Sequence, residues 1–160
     1  KGDDFVELLG ELEAFNIQHA WSSYEYEILH YSDIYEHIKA VEKMIHVKNN
    51  SVENLNIKLT EKEGKYFLDL SNNPDVHSVV GIRIMPLTGL NLSGSGIKDF
   101  RMAILKDLPL EDLDVSDCRL SDYGFLKHYK KLKKITVNAK EAQHPSFLKY
   151  AKGLEVITRE

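Results

Sequence analysis

The sequence predicts an α/β fold in which short parallel strands stack side by side and each strand is followed by a short helix or turn. The chain has 160 residues, of which 42% are hydrophobic and 29% charged, and this size suits one domain with a core of its own. From residue 65 onward a leucine pattern recurs with a period of 22 or 23 residues. Pro86 and Pro109 precede two of the copies, at a strand's first residue, where a missing N–H is tolerated.

The repeat is clearest in residues 110–120, which match L-x-x-L-x-L-x-x-N/C-x-L at every fixed position when Val115 is counted as the third aliphatic residue. Residues 87–97 repeat the pattern with Ser95 in the Asn/Cys position. Weaker copies lie on either side. The second aliphatic positions are spaced 22, 23, 22 and 22 residues apart, at Leu68, Leu90, Leu113, Ile135 and Ile157.

At these residues the chain resembles the leucine-rich repeat family, over about residues 65–160. The resemblance implies a solenoid of four to five units, with a parallel β-sheet on the concave face and short helices or turns on the convex face. It also implies that Asn73 and Cys118 satisfy backbone groups of the loop beneath them. We therefore expect Cys118 to be a buried structural thiol rather than a nucleophile. The proline-leucine style of the copies is similar to bacterial leucine-rich repeats, some of which follow a protein kinase domain.

Residues 1–64 are predicted to form an N-terminal cap, because a terminal repeat would otherwise expose its apolar edge. Apolar residues at helical spacing predict one helix near residues 5–12 and a second over residues 34–45. Asp33 and Glu36 form a variant of a capping box at the start of the second helix.

The rest of the cap consists of two segments with different patterns. Residues 16–31 combine aromatic richness with partial alternation, so that helical, irregular and strand interpretations compete, with a helix or an irregular segment favoured. Residues 52–70 predict a β-hairpin with its turn at residues 61–64, which leads into the first repeat strand.

The sequence contains no pattern typical of a catalytic or cofactor site. The seven histidines lack metal-ligand spacing, and neither a phosphate-binding loop nor a nucleophile elbow is present. A net charge of −4 disfavours nucleic acid and membrane as partners. A single cysteine and the absence of a signal-peptide pattern favour a cytoplasmic location. We expect no enzyme activity and no cofactor.

Period-2 alternation points the residues between the fixed leucines away from the core, in rows across the sheet. One row is predicted to hold Asp69, Asn91, Asp114, Thr136 and Thr158, and the next Ser71, Ser93, Ser116 and Asn138. These rows are either a binding site or an ordinary solvated face. The candidate partner-binding residues on the concave face are Asp69, Asn91, Asp112, Asp114, Ser116, Lys134, Thr136 and Asn138.

Charge is unevenly distributed along the chain. Residues 1–63 carry 13 acidic and 6 basic side chains, whereas residues 121–152 carry 8 lysines and 2 acidic side chains. The basic end could steer an acidic partner, favour head-to-tail association, or form a solvated convex face. The candidate basic patch consists of Lys127, Lys130, Lys131 and Lys133.

Together these features predict a non-catalytic protein–protein interaction module that binds through the concave sheet, the basic C-terminal end, or both. The alternative is a regulatory or scaffold segment of a larger multidomain protein, such as a bacterial protein kinase. Residues 154–157 begin a strand with no repeat after it. That edge is therefore expected to fray, to be covered by further sequence, or to pair with another chain, which would allow self-association.

Overall fold

The structure, a computed structural model, describes residues 33–49, 52–98 and 102–160. The helix predicted near residues 5–12 and the aromatic residues 16–31 lie outside these ranges. Among the described residues, no helix combines the length and the apolar character needed to cross a bilayer.

The described residues form a mixed α/β structure with one six-stranded sheet. The α-helices are α1 (Ile34–Lys48) and α2 (Pro145–Tyr150). The strands are β1 (Lys58–Lys62), β2 (Lys65–Asp69), β3 (Leu87–Asn91), β4 (Asp112–Asp114), β5 (Lys134–Asn138) and β6 (Glu155–Arg159). Each link between parallel strands contains a short 3₁₀-helix: Val80–Ile84, Ala103–Leu105, Gly124–His128 and Glu141–Gln143.

The strands lie next to one another in chain order. β1 and β2 are antiparallel, and every later pair is parallel. The predicted hairpin is confirmed, and its two-residue turn consists of Glu63 and Gly64, with φ of 55° and 72°. Positive φ at both turn residues matches the right-handed twist of the flanking strands. The hairpin thereby adds an antiparallel edge to an otherwise parallel sheet.

Backbone pairing aligns the leucine positions across the sheet. Leu68 pairs with Leu90, which pairs with Leu113, and Leu113 pairs with Ile135. The series continues to Val156, so the prediction of Ile157 as the fifth marker is wrong by one residue. The N–H of Glu155 donates to the carbonyl of Lys133 at 2.8 Å and sets this register. Sequence periodicity does not specify such a bond, and a one-residue slip reverses which face each side chain occupies.

The core lies between the sheet and the 3₁₀-helices. Two aliphatic side chains at or next to each of the four strands β2–β5, two residues apart, are buried: Leu68, Leu70, Leu90, Leu92, Leu113, Val115, Ile135 and Val137. They belong to one continuous apolar cluster that also includes residues of the 3₁₀-helices. Each strand therefore contributes to a shared core rather than to one of its own.

Buried polar groups support the loops after the strands. Asn73 donates through Nδ2 to the carbonyls of Leu70 and Asn56, at 2.8 and 2.7 Å. Two repeats later, the thiol of Cys118 donates to the carbonyl of Leu92 at 2.9 Å, and burial raises its pKa. Cys118 is a free, buried thiol whose hydrogen bond supports the neighbouring loop.

Helix α1 begins where the sequence predicts. The carboxylate of Asp33 accepts hydrogen bonds from the N–H groups of Tyr35 and Glu36, at 2.8 and 2.9 Å. This N-cap satisfies donors that have no partner inside the helix. One face of α1 is buried and contacts the 3₁₀-helix Val80–Ile84.

We expect Leu113→Ala to lower the free energy of unfolding by about 2–5 kcal/mol, because a fully buried side chain in the middle strand is lost and leaves a cavity. Leu148→Ala is the matched control, since Leu148 is 55% exposed, and should change the free energy of unfolding by less than about 0.5 kcal/mol. Urea unfolding followed by circular dichroism measures both. Similar losses for the two variants would contradict the placement of the core.

Candidate interaction surface

The face of the sheet that points away from the core carries a groove of about 790 Å³, which we call the sheet groove. Residues of all six strands line it. They are Thr60, Lys62, Phe67, Leu68, Asp69, Gly89, Leu90, Asn91, Asp112, Asp114, Lys134, Thr136, Ile157 and Arg159.

The first predicted row of polar residues is present on this face over four strands. Asp69 pairs with Asn91, Asn91 with Asp114, and Asp114 with Thr136. The fifth member is Ile157 rather than the predicted Thr158, because β6 pairs one residue out of step with the repeat period. An exposed apolar side chain therefore ends a row that was predicted to be polar throughout.

Three side chains of this row bind the backbone of their own loops. In each case the side-chain Oδ1 accepts from the N–H of a serine two residues later, at 2.9 to 3.0 Å: Asp69 from Ser71, Asn91 from Ser93, and Asp114 from Ser116. Such Asx turns hold the chain as it leaves the strand. The row predicted as a binding site therefore has a structural role in each of these three repeats.

Asp114 is the most strongly held of these side chains. Its Oδ1 also accepts from the hydroxyl of Ser116 at 2.7 Å, and its Oδ2 lies 2.7 Å from a guanidinium nitrogen of Arg159. The Asp114 side chain is only 11% exposed, and Ser116 is fully buried. Both carboxylate oxygens are thus already bound within the chain.

Asn138 also acts within the fold. It donates through Nδ2 to the carboxylate of Asp117 at 2.8 Å and accepts from the N–H of Asp117 at 2.8 Å. Thr136 is buried, at 6% exposure. Among the predicted residues, these two are poorly placed to provide free polar groups to a partner.

A second row crosses the sheet groove and includes an aromatic residue that the sequence analysis did not select. Phe67 on β2 neighbours Gly89 on β3, and the row continues through Asp112 and Lys134. The ring of Phe67 lies directly over Gly89, since a Cβ at Gly89 would overlap it. Phe67 immediately precedes the buried Leu68, and Gly89 immediately precedes the buried Leu90. Because neighbouring residues in a strand point to opposite faces, alternation alone predicts that Phe67 lies on the open face.

The charged residues of this row and of the neighbouring strand ends are paired with one another. Asp112 bonds with Lys134, and this contact raises the pKa of Lys134. The Oε2 atom of Glu111 lies 2.9 Å from the Nζ atoms of both Lys133 and Lys65. These two ammonium groups together lower the pKa of the Glu111 carboxyl to about 2. Lys133 therefore belongs to an ion pair beside the sheet.

The other three residues of the predicted basic patch lie together elsewhere. Lys127, Lys130 and Lys131 line a separate groove with Lys106. Within the described part of the chain, no cluster of three histidine, cysteine or acidic side chains could hold a metal ion.

We expect Asp114→Ala to lower the free energy of unfolding by about 2–4 kcal/mol, because it removes a charged hydrogen-bond acceptor and leaves buried donors without a partner. Asp69→Ala is the matched control and should cost about 1 kcal/mol, since among the described residues Asp69 accepts one bond of the same kind, from the N–H of Ser71. Chemical denaturation measures both. A loss for Asp114→Ala no larger than that for Asp69→Ala would show that the additional bonds of Asp114 do not stabilise the fold.

The ion pairs of Glu111 predict a specific pH dependence. Because its folded pKa is about 2 against an ordinary value of 4.5, the stabilisation is complete above about pH 4.5 and is lost as the pH falls through about 2. The difference in unfolding free energy between the native chain and Glu111→Gln should therefore be constant at higher pH and shrink toward zero in acid. Carboxyl NMR titration should give a Glu111 midpoint near 2 that rises toward 4.5 in Lys65→Met/Lys133→Met. An unchanged midpoint would contradict this account.

Comparisons with known proteins do not identify a relative. No protein-family model, no curated protein and no solved structure matches the chain. The repeat pattern, the parallel sheet and the chemistry of the sheet groove are the features of the molecule that bear on its function.

Proposed function

We propose that the chain is a leucine-rich repeat solenoid that acts as a non-catalytic protein-binding module, with the sheet groove as its concave binding face. Two features of the backbone support the solenoid. Strands β2 to β6 lie side by side in chain order and in parallel, and β2 to β5 keep the period of the leucine pattern. The loops after successive strands bind one another, as Asn72 to Ser93 and Gly94 to Ser116, at 2.8 and 2.9 Å.

The observation that most supports binding is the half-buried ring of Phe67, which lies over Gly89 in the sheet groove. Aromatic side chains are enriched among residues that dominate binding energy. A partner that covered this ring would remove apolar surface from water. Gly89 supports this arrangement because its missing side chain leaves room for the ring.

The surrounding ion pairs favour a partner with an apolar contact residue over a strongly charged one. Two ion pairs, Asp112–Lys134 and Asp114–Arg159, lie in the groove, and the two charges within each pair neutralise each other. A single strong charge brought against either pair would gain attraction from one member and repulsion from the other. We expect these pairs to act as a polar rim and Phe67 as the anchor.

We expect Phe67→Asp to weaken binding of a native partner about 30-fold or more, because it replaces the apolar anchor with a charge. The full chain, Phe67→Asp and Tyr35→Asp are immobilised and used to capture proteins from extracts of the source cells. Tyr35 is a matched control because it is an aromatic residue, 58% exposed, on α1 and outside the groove. Circular dichroism establishes that all three chains are folded.

A partner of the sheet groove is retained by the native chain and by Tyr35→Asp and is lost from Phe67→Asp. The purified partner should also bind Gly89→Ala more weakly, because the added methyl group displaces the ring of Phe67. If no captured protein distinguishes Phe67→Asp from Tyr35→Asp, the sheet groove is not the binding face.

A further inference from the structure

A second groove, of about 410 Å³, lies where the chain enters β4 and β5, and we call it the lysine groove. One wall is formed by Lys106, Leu108 and Pro109, and the other by Lys127, Lys130 and Lys131. It shares no lining residue with the sheet groove. The inference drawn from it is therefore independent of the proposed function.

The lysines of this groove are not neutralised by the fold. Four lysines line it against one acidic side chain, Asp107. Within the described ranges, none of the four forms an ion pair, whereas Lys65, Lys133 and Lys134 beside the sheet are all paired. Like charges held close together repel, so an arrangement of this kind gains free energy when an anion enters.

The two walls are held at a fixed separation by a buried tyrosine. Tyr129 lies between the lysines of the second wall, and its hydroxyl donates to the carbonyl of Met102 at 2.6 Å. Met102 directly precedes the 3₁₀-helix that leads to Lys106 and the first wall. Burial raises the pKa of Tyr129, which keeps the hydroxyl protonated and able to donate. The ring of Phe125 packs edge-on against Tyr129, with centroids 5.9 Å apart.

We propose that the lysine groove binds an acidic segment of a partner protein, one with several Asp or Glu side chains in an extended stretch. Lysine ammonium groups are compact point charges that attract carboxylates, and the four lysines of the groove face a single acidic side chain. Pro109, in the first wall, is half-buried and provides an apolar surface against which the aliphatic parts of such a segment can pack. A long nucleic acid would extend beyond the groove onto a molecule whose net charge is −4.

The test titrates the full chain with fluorescein-labelled polyglutamate and measures anisotropy at low salt, about 50 mM NaCl, where surface charges are weakly screened. Lys127→Glu/Lys130→Glu should weaken binding about tenfold or more, because two attractive charges become repulsive. Lys39→Glu/Lys58→Glu makes the same change in net charge at exposed lysines of α1 and β1 that line neither groove, and should weaken binding less than about twofold. Circular dichroism and thermal unfolding confirm that both variants are folded.

Three results would overturn the proposal. Equal losses in the two double variants would show that net charge, rather than the groove, attracts the peptide. A single-stranded oligonucleotide that binds more tightly than polyglutamate, and loses that affinity in Lys127→Glu/Lys130→Glu, would assign the groove to nucleic acid. Salt-sensitive oligomers of the native chain in sedimentation velocity, absent from that variant, would assign it to a second copy of this chain.

Discussion

The lateral backbone hydrogen bonds between successive parallel strands are the constraint on which the rest of the structure depends. They continue past the strand ends, where the N–H groups of Leu70, Leu92 and Val115 donate to the next repeat at 2.8, 2.8 and 3.0 Å. These bonds fix the register of each strand against its neighbour. With the register fixed, side chains alternate between the core face and the open face and form rows across the sheet on each face. The continuous apolar core and the two rows of the sheet groove both follow from that requirement.

The chain leaves each strand through a conformation that few residues adopt. Asn72, Gly94 and Asp117 occupy corresponding positions in three successive loops, and their φ angles are 57°, 68° and 56°. Asparagine, glycine and aspartate are the residues that tolerate this left-handed region. The Asx turns of the preceding residues hold the same loops from the other side. Much of the polar character of the open face therefore serves the turns and is not free for binding.

Most of the fold could be predicted from the sequence, because its signals are local. The helix cap at Asp33 and the hairpin turn at Gly64 each depend on a few neighbouring residues, and the leucine period repeats one short motif along the chain. The register of β6 could not be predicted, because it is set by the backbone hydrogen bond from Glu155 to Lys133, and these two residues lie in different repeats. The role of the predicted polar residues in the candidate site likewise depends on contacts that the sequence pattern does not specify. Alternation placed Asp69 and Asp114 on the open face, but only their contacts show that they bind the backbone.

Charge on this molecule takes two forms, and the difference bears on where partners can bind. Beside the sheet, acidic and basic side chains pair with one another, as Glu111, just before β4, does with Lys65 on β2 and with Lys133, just before β5. Strand register brings these charges together, and binding there would require a partner to compete with pairs that already exist. The lysine groove lies in the segments that enter β4 and β5, where no strand register places a carboxylate beside each ammonium group. An incoming carboxylate there would meet cations without competing for them. This difference supports apolar contact as the basis of the binding proposed at the sheet groove and electrostatic attraction as the basis of that proposed at the lysine groove.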